Sequence, residues 1–204
     1  MRAEKMIGML FGMRKIISSV VAGLLCFGAS ISVPASAQAD DLQAMLNKAG
    51  QEKTGVDLTA GRTYVVQNTL KVPEEVRYIR GHGAHLDVRT QGTSSKLASA
   101  FELQSKNSGI ELSDFTLNMK ASRFSSGISG DHISNVTVRN VTMNDVNYRG
   151  VSILADHGDV SNVTVDKNTI SMVNGDEDAV AIFASTNREK DSYRGTRSEV
   201  WKRY

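Results

Sequence analysis

Val136-Thr-Val-Arg-Asn-Val-Thr-Met143 decides the fold, because the same pattern stands upstream in Ile110-Glu-Leu-Ser-Asp-Phe-Thr-Leu117 and downstream in Val163-Thr-Val-Asp-Lys-Asn-Thr-Ile170. Apolar and polar residues alternate, pause, and alternate again. Alternation of period two marks a strand with one face buried. Its return from Ile110 to Val136 to Val163, at a nearly constant interval, marks a solenoid in which each turn of chain stacks on the last. Like then falls on like: Thr116, Thr142 and Thr169 face out at one station, while Phe115, Val141 and Asn168 face in at the next. An asparagine at an inward station is expected at a bend, bonded to backbone.

A further strand precedes each pair. Phe101-Glu-Leu103, Gly127-Ile-Ser129, Val151-Ser-Ile153 and Val180-Ala-Ile182 form this set, and Phe101, Ile128, Val151 and Val180 repeat with somewhat looser spacing. The expected architecture is all-β: a right-handed parallel β-helix of about four coils, each with three strands of about three residues. An antiparallel sandwich also uses short alternating strands, but it has no reason to hold one phase across three strand sets.

Upstream, Asp40 or Asp41 can cap a helix with Leu42, Met45, Leu46 and Ala49 on one face and Gly50 at its end. That stripe needs an apolar surface to cover, and the open end of a solenoid supplies one. Residues 1–39 read as a secretion signal. Arg14 and Lys15 precede the apolar stretch Ile16 to Ile31, and Ala35-Ser36-Ala37 or Ala37-Gln38-Ala39 offers a small-residue cleavage site. The apolar run is short for a stable membrane anchor. The expected location is secreted or periplasmic. The single cysteine, Cys26, lies within this leader, so the mature chain has no disulfide and no thiolate chemistry. The formal charge of +2 turns slightly negative once Arg2, Lys5, Arg14 and Lys15 leave with Glu4, which argues against a nucleic-acid partner. The β-helix domain is expected over 40–185. Residues 186–204 carry no strand pattern and read as an irregular tail or an unfinished last coil, an end open to self-association.

With these residues in view, the stretch Asp41 to Leu86, including Leu58-Thr-Ala-Gly-Arg-Thr-Tyr-Val-Val66 and Val72-Pro-Glu-Glu-Val-Arg-Tyr-Ile-Arg-Gly-His-Gly-Ala-His-Leu86, resembles the start of pectate-lyase-like β-helix proteins. In that superfamily an N-terminal helix commonly caps the solenoid. The resemblance implies a polysaccharide substrate lying across several coils, and action as a lyase, an epimerase or a glycoside hydrolase. Such enzymes place acidic and basic groups on neighbouring coils beside one parallel sheet.

Aligning coils on Ile128, Val151 and Val180 brings Ser126, Arg149 and Asp178 to one station, with Tyr148 and Glu177 beside them. Removing the proton next to a uronate carboxylate requires a base and a cation that neutralises the carboxylate. Asp178 and Arg149 suit those roles, and they equally suit a plain surface ion pair. Asn174-Gly-Asp-Glu-Asp-Ala-Val-Ala-Ile182 is similar to the Gly-Asp-Asp-Cys-Val-Ala-Ile motif of polygalacturonases, with Glu177 and Asp178 at the paired aspartates. One coil earlier, Arg149 stands where that family has an aspartate. Asp156-His157-Gly158-Asp159 resembles the Asp-Pro-His-Asp motif of mannuronan epimerases without its proline, and implies proton transfer by His157 and Asp156. Asp176 and Asp178 are oxygen donors of the kind Ca²⁺ takes, the one cofactor these residues suggest, and equally read as a solvated acidic turn. The alternative readings are a glycan-binding or surface, phage-tail-like solenoid without catalysis, which asks for exposed aromatics and polar ladders but no acid–base pair, and an inactive truncated remnant.

Overall fold

In the computed structural model the chain is described over residues 35–104, 108–173 and 177–184. A helix, α1 (Ala35–Glu52), leads into thirteen strands. β1 (Val56–Asp57) and β2 (Thr63–Val66) precede the first turn, formed by β3 (Leu70–Val72) and β4 (Tyr78–Val88). β5 (Ala98–Leu103) and β6 (Ser108–Asn118) form the second; β7 (Ser125–Asp131), β8 (Ser134–Arg139) and β9 (Thr142–Val146) the third. β10 (Val151–Ala155), β11 (Ser161–Asp166) and β12 (Thr169–Met172) form the fourth, and β13 (Val180–Ala184) opens the next. All named pairings are parallel. The protein is a parallel β-helix of about four turns with one N-terminal helix.

The register follows the repeat. Ile110 pairs with Val136 and Val136 with Val163; Thr116 pairs with Thr142 and Thr142 with Thr169; Phe101, Ile128, Val151 and Val180 form one row. A smaller sheet holds β3, β5, β7, β10 and β13, and a larger one holds the other strands. Their inner faces meet in one core that includes Val136, Val138, Val141 and Met143, all fully buried. Phe101 and Phe115 meet there across 5.6 Å in a tilted pair.

Two features differ from the three-residue strands expected. β4 and β6 each run for 11 residues and fold over the core by bending rather than by ending. The bends sit at residues with positive φ, which stack in rows: Gly109, Asn135 and Asn162 at one corner, Asp114, Asn140 and Lys167 at the other. Glycine, asparagine and aspartate enter this left-handed region at least cost, which is why they recur at these stations. Between adjacent coils the side chains pair as well: Asn162 donates to Asn135 at 2.9 Å and Asn140 to Asp114 at 3.2 Å.

The helix also differs at both ends. It begins at Ala35, so Asp40 and Asp41 lie within it rather than capping it. Gly50 does not end it. A Cβ at Gly50 would stand 2.7 Å from the Pro73 ring, so the glycine permits close packing, and the left-handed turn falls at Lys53. The stripe performs as expected, since Leu42, Leu46 and Ala49 are buried in the core. The candidate cleavage residues 35–39 precede this buried face. The remainder of the leader and the tail from 185 lie outside the described residues, and no described helix is long and apolar enough to cross a membrane.

Candidate functional site

The smaller sheet ends in a depression of about 380 Å³ that crosses three turns of the solenoid. Register builds it. Glu102 pairs with Ser129 at one level, and Asp131 pairs with Leu154 at the last level. Gln104, His132 and His157 complete the lining. Lys71 makes an ion pair with Glu102, Gln104 donates to the same carboxylate at 3.3 Å, and Ser129 donates to Ser99 at 2.8 Å.

Asp131 is the junction of two coils. One of its oxygens accepts the Asp156 backbone N–H at 3.0 Å; the other meets Nδ1 of His157 in a close hydrogen bond. Burial raises the Asp131 carboxyl, but the His157 imidazole and the backbone N–H groups of Asp156 and His157 outweigh it, so its pKa lies below the usual value. The same hydrogen bond to Asp131, with the Asp131 and Asp156 charges, holds His157 above the usual imidazole value. Gly158 allows the fourth turn to close here: a Cβ would fall 1.7 Å from Nδ1 of His132. That His132 nitrogen is buried without a hydrogen-bond partner. With Nδ1 of His157 engaged by a carboxylate and its side chain 82% exposed, Nε2 remains to exchange a proton with a bound molecule.

The residues singled out from sequence divide between the two ends of the smaller sheet. His157 and Asp156 follow β10 and join the depression, Asp156 through its backbone N–H. Arg149 precedes β10 and lies 3.3 Å from Glu177, with side-chain exposures of 18% and 25%. Its guanidinium stands 4.5 Å above the Tyr148 ring. The contact is with Glu177, one residue before the Asp178 that the coil alignment had paired with Arg149; Asp178 is exposed. A five-residue strand such as β10 spans about 16 Å. Arg149 and His157 therefore cannot serve one proton transfer, which needs contact within about 3 Å. Asp176 lies outside the described residues, and among those described no group of acidic, histidine or cysteine side chains could hold a metal ion.

Glu102, Gln104 and Lys71 escaped the reading of the sequence, and Asp131 enters it only as the neighbour of His132. Asp131-His132 and Asp156-His157 both fall at the ends of strands of the smaller sheet, but out of phase by two residues, because Asp131 lies level with Leu154. Among known proteins the chain matches no family model, no curated protein and no solved structure.

Proposed function

We propose that this is an exported protein that acts on an acidic polysaccharide, with His157 as the proton-transfer group and Asp131 as the residue that orients and charges it. The observation that carries the reading is the His157–Asp131 hydrogen bond between two adjacent coils at the rim of a depression that crosses three. An extended glycan is a ligand of matching form, and the resemblance to pectate-lyase-like proteins and the export signal point the same way. Proton abstraction beside a uronate carboxylate, the step shared by lyases and epimerases, fits the residues best. The proton passes to Nε2 of His157. The electron pair is delocalised into the substrate carboxylate, for which Lys71, ion-paired with Glu102 of the depression, is a cation on the same sheet. In elimination a C=C bond then forms as the glycosidic C–O bond breaks, its electron pair leaving with the sugar oxygen, which takes up a proton from the His157 imidazolium or from water. Asp131 fixes the imidazole and stabilises the imidazolium, which is the orienting role a carboxylate plays beside a catalytic histidine.

The test is ultraviolet absorbance of purified protein with polygalacturonate and with alginate, with and without Ca²⁺. Absorbance of an unsaturated product should appear and should fall by about 100-fold or more in His157→Ala. Because the base is the neutral imidazole, the rate should climb as pH rises through its raised pKa, and Asp131→Asn should move that rise to lower pH. A flat trace together with unchanged sugar stereochemistry by NMR would remove the proton-abstraction reading for these polymers. Retained glycan binding would then favour the non-catalytic solenoid.

A further inference from the structure

The opposite end of the smaller sheet carries an aromatic residue that the fold holds under strain. Phe124 precedes β7 with φ +43, a conformation that bulky side chains rarely adopt and that persists only where the surroundings enforce it. Asn147, one coil on, enforces it: its amide donates to the Ser122 carbonyl at 2.6 Å and to the Ser122 hydroxyl at 3.1 Å, and accepts from Ser125 N–H at 3.2 Å. The backbone carbonyl of Phe124 also accepts from Ala98 at 3.0 Å. Glycine or asparagine would hold this turn at lower cost. Yet the position carries a large apolar side chain at the surface, the residue being 36% exposed.

The ring is not isolated. The Arg123 guanidinium lies 5.5 Å from its centroid, and both residues line, with Ser122 and Asn147, an open depression of about 270 Å³. On the next coil Arg149 stacks over Tyr148 in the same manner. A flat apolar ring beside a guanidinium is complementary to a pyranose face whose edge carries a carboxylate.

We infer that Phe124 and Arg123 form a second glycan subsite, remote from the His157–Asp131 pair, that stacks a sugar ring and neutralises its carboxylate. The inference rests on the acidic-glycan reading for its ligand but not on the proposed chemistry. Binding of galacturonate and mannuronate oligomers is measured by calorimetry, with cello-oligosaccharide as the neutral comparison. Phe124→Gly should weaken binding by about tenfold while its melting temperature holds or rises, because the strained turn is relieved. Arg123→Ala should remove the preference for acidic over neutral oligomers. Phe124→Asn, whose side chain suits the left-handed turn, should reproduce the binding loss with the fold preserved.

If Phe124→Gly, Phe124→Asn and Arg123→Ala all bind like the unsubstituted protein, or if that protein binds none of the acidic oligomers, the subsite does not exist. Phe124-dependent binding without turnover would instead overturn only the proton-transfer proposal and leave the subsite standing.

Discussion

His157 and Asp131 are most informative through their linked titration. His157 is raised by its partner and Asp131 is lowered by it, so the ionised pair is favoured between the two folded-state pKa values. The histidine contribution to stability is complete below the unfolded imidazole pKa and is lost as pH rises through the raised value. The aspartate contribution is present above the unfolded carboxyl pKa and disappears as pH falls through the lowered one. The stability advantage of the native chain over Asp131→Asn should therefore peak between these limits and vanish on both sides. NMR titration of His157 in Asp131→Asn should show its pKa falling toward the ordinary value, and an unchanged titration would refute the coupling. Asn168 is the second telling residue. Its amide donates to Val138 C=O at 2.8 Å and its oxygen accepts from Val141 N–H at 2.9 Å, serving backbone groups at a corner. Asn168→Ala should cost about 1–3 kcal/mol in urea unfolding; a loss inside about 0.5 kcal/mol would mean those groups find other partners.

Among the elements, α1 does more than cover apolar side chains. Gln43 accepts from the Lys71 N–H and donates to the Lys71 C=O, both at 2.8 Å. Its carboxamide thus pairs with the outermost strand of the smaller sheet as a peptide group would, which blunts an edge that otherwise invites another chain. Leu46 is fully buried beneath the helix. Leu46→Ala should lower stability by about 2–5 kcal/mol, read from denaturant unfolding with an unchanged slope. A change below about 1 kcal/mol would show that the solenoid closes without this side chain. On the outer face of the larger sheet, Glu111 accepts from Arg139 at 3.0 Å and Ser113 at 3.0 Å, with Arg80 at 3.7 Å. Bonding to Arg139 is the main reason its carboxyl lies below the usual value. Such partly exposed pairs mainly fix register and add little net stability.

For the whole molecule, burial is graded along the axis. Val136, Val138 and Met143 of the third turn are fully buried, whereas their fourth-turn partners Val163, Val165 and Ile170 are only partly so. In a solenoid each coil is sealed by its neighbours and shares its stability with them.

The stacking and its register were legible from the chain alone, because the steady return of Ile110, Val136 and Val163, combined with apolar alternation, admits one economical packing. The inward Asn168 and the covering stripe on Leu42 and Leu46 were legible for the same reason: local pattern and burial coincide there. Which polar groups meet was not. Coil alignment placed Arg149 beside Asp178, yet the guanidinium reaches Glu177, since side-chain reach and turn geometry lie below the resolution of a repeat. The His157–Asp131 pair depends on a turn that closes because Gly158 lacks a Cβ over His132. The strained Phe124 depends on hydrogen bonds from Asn147 on the next coil. Periodicity sets which residues share a level; only the folded corners decide which of them touch.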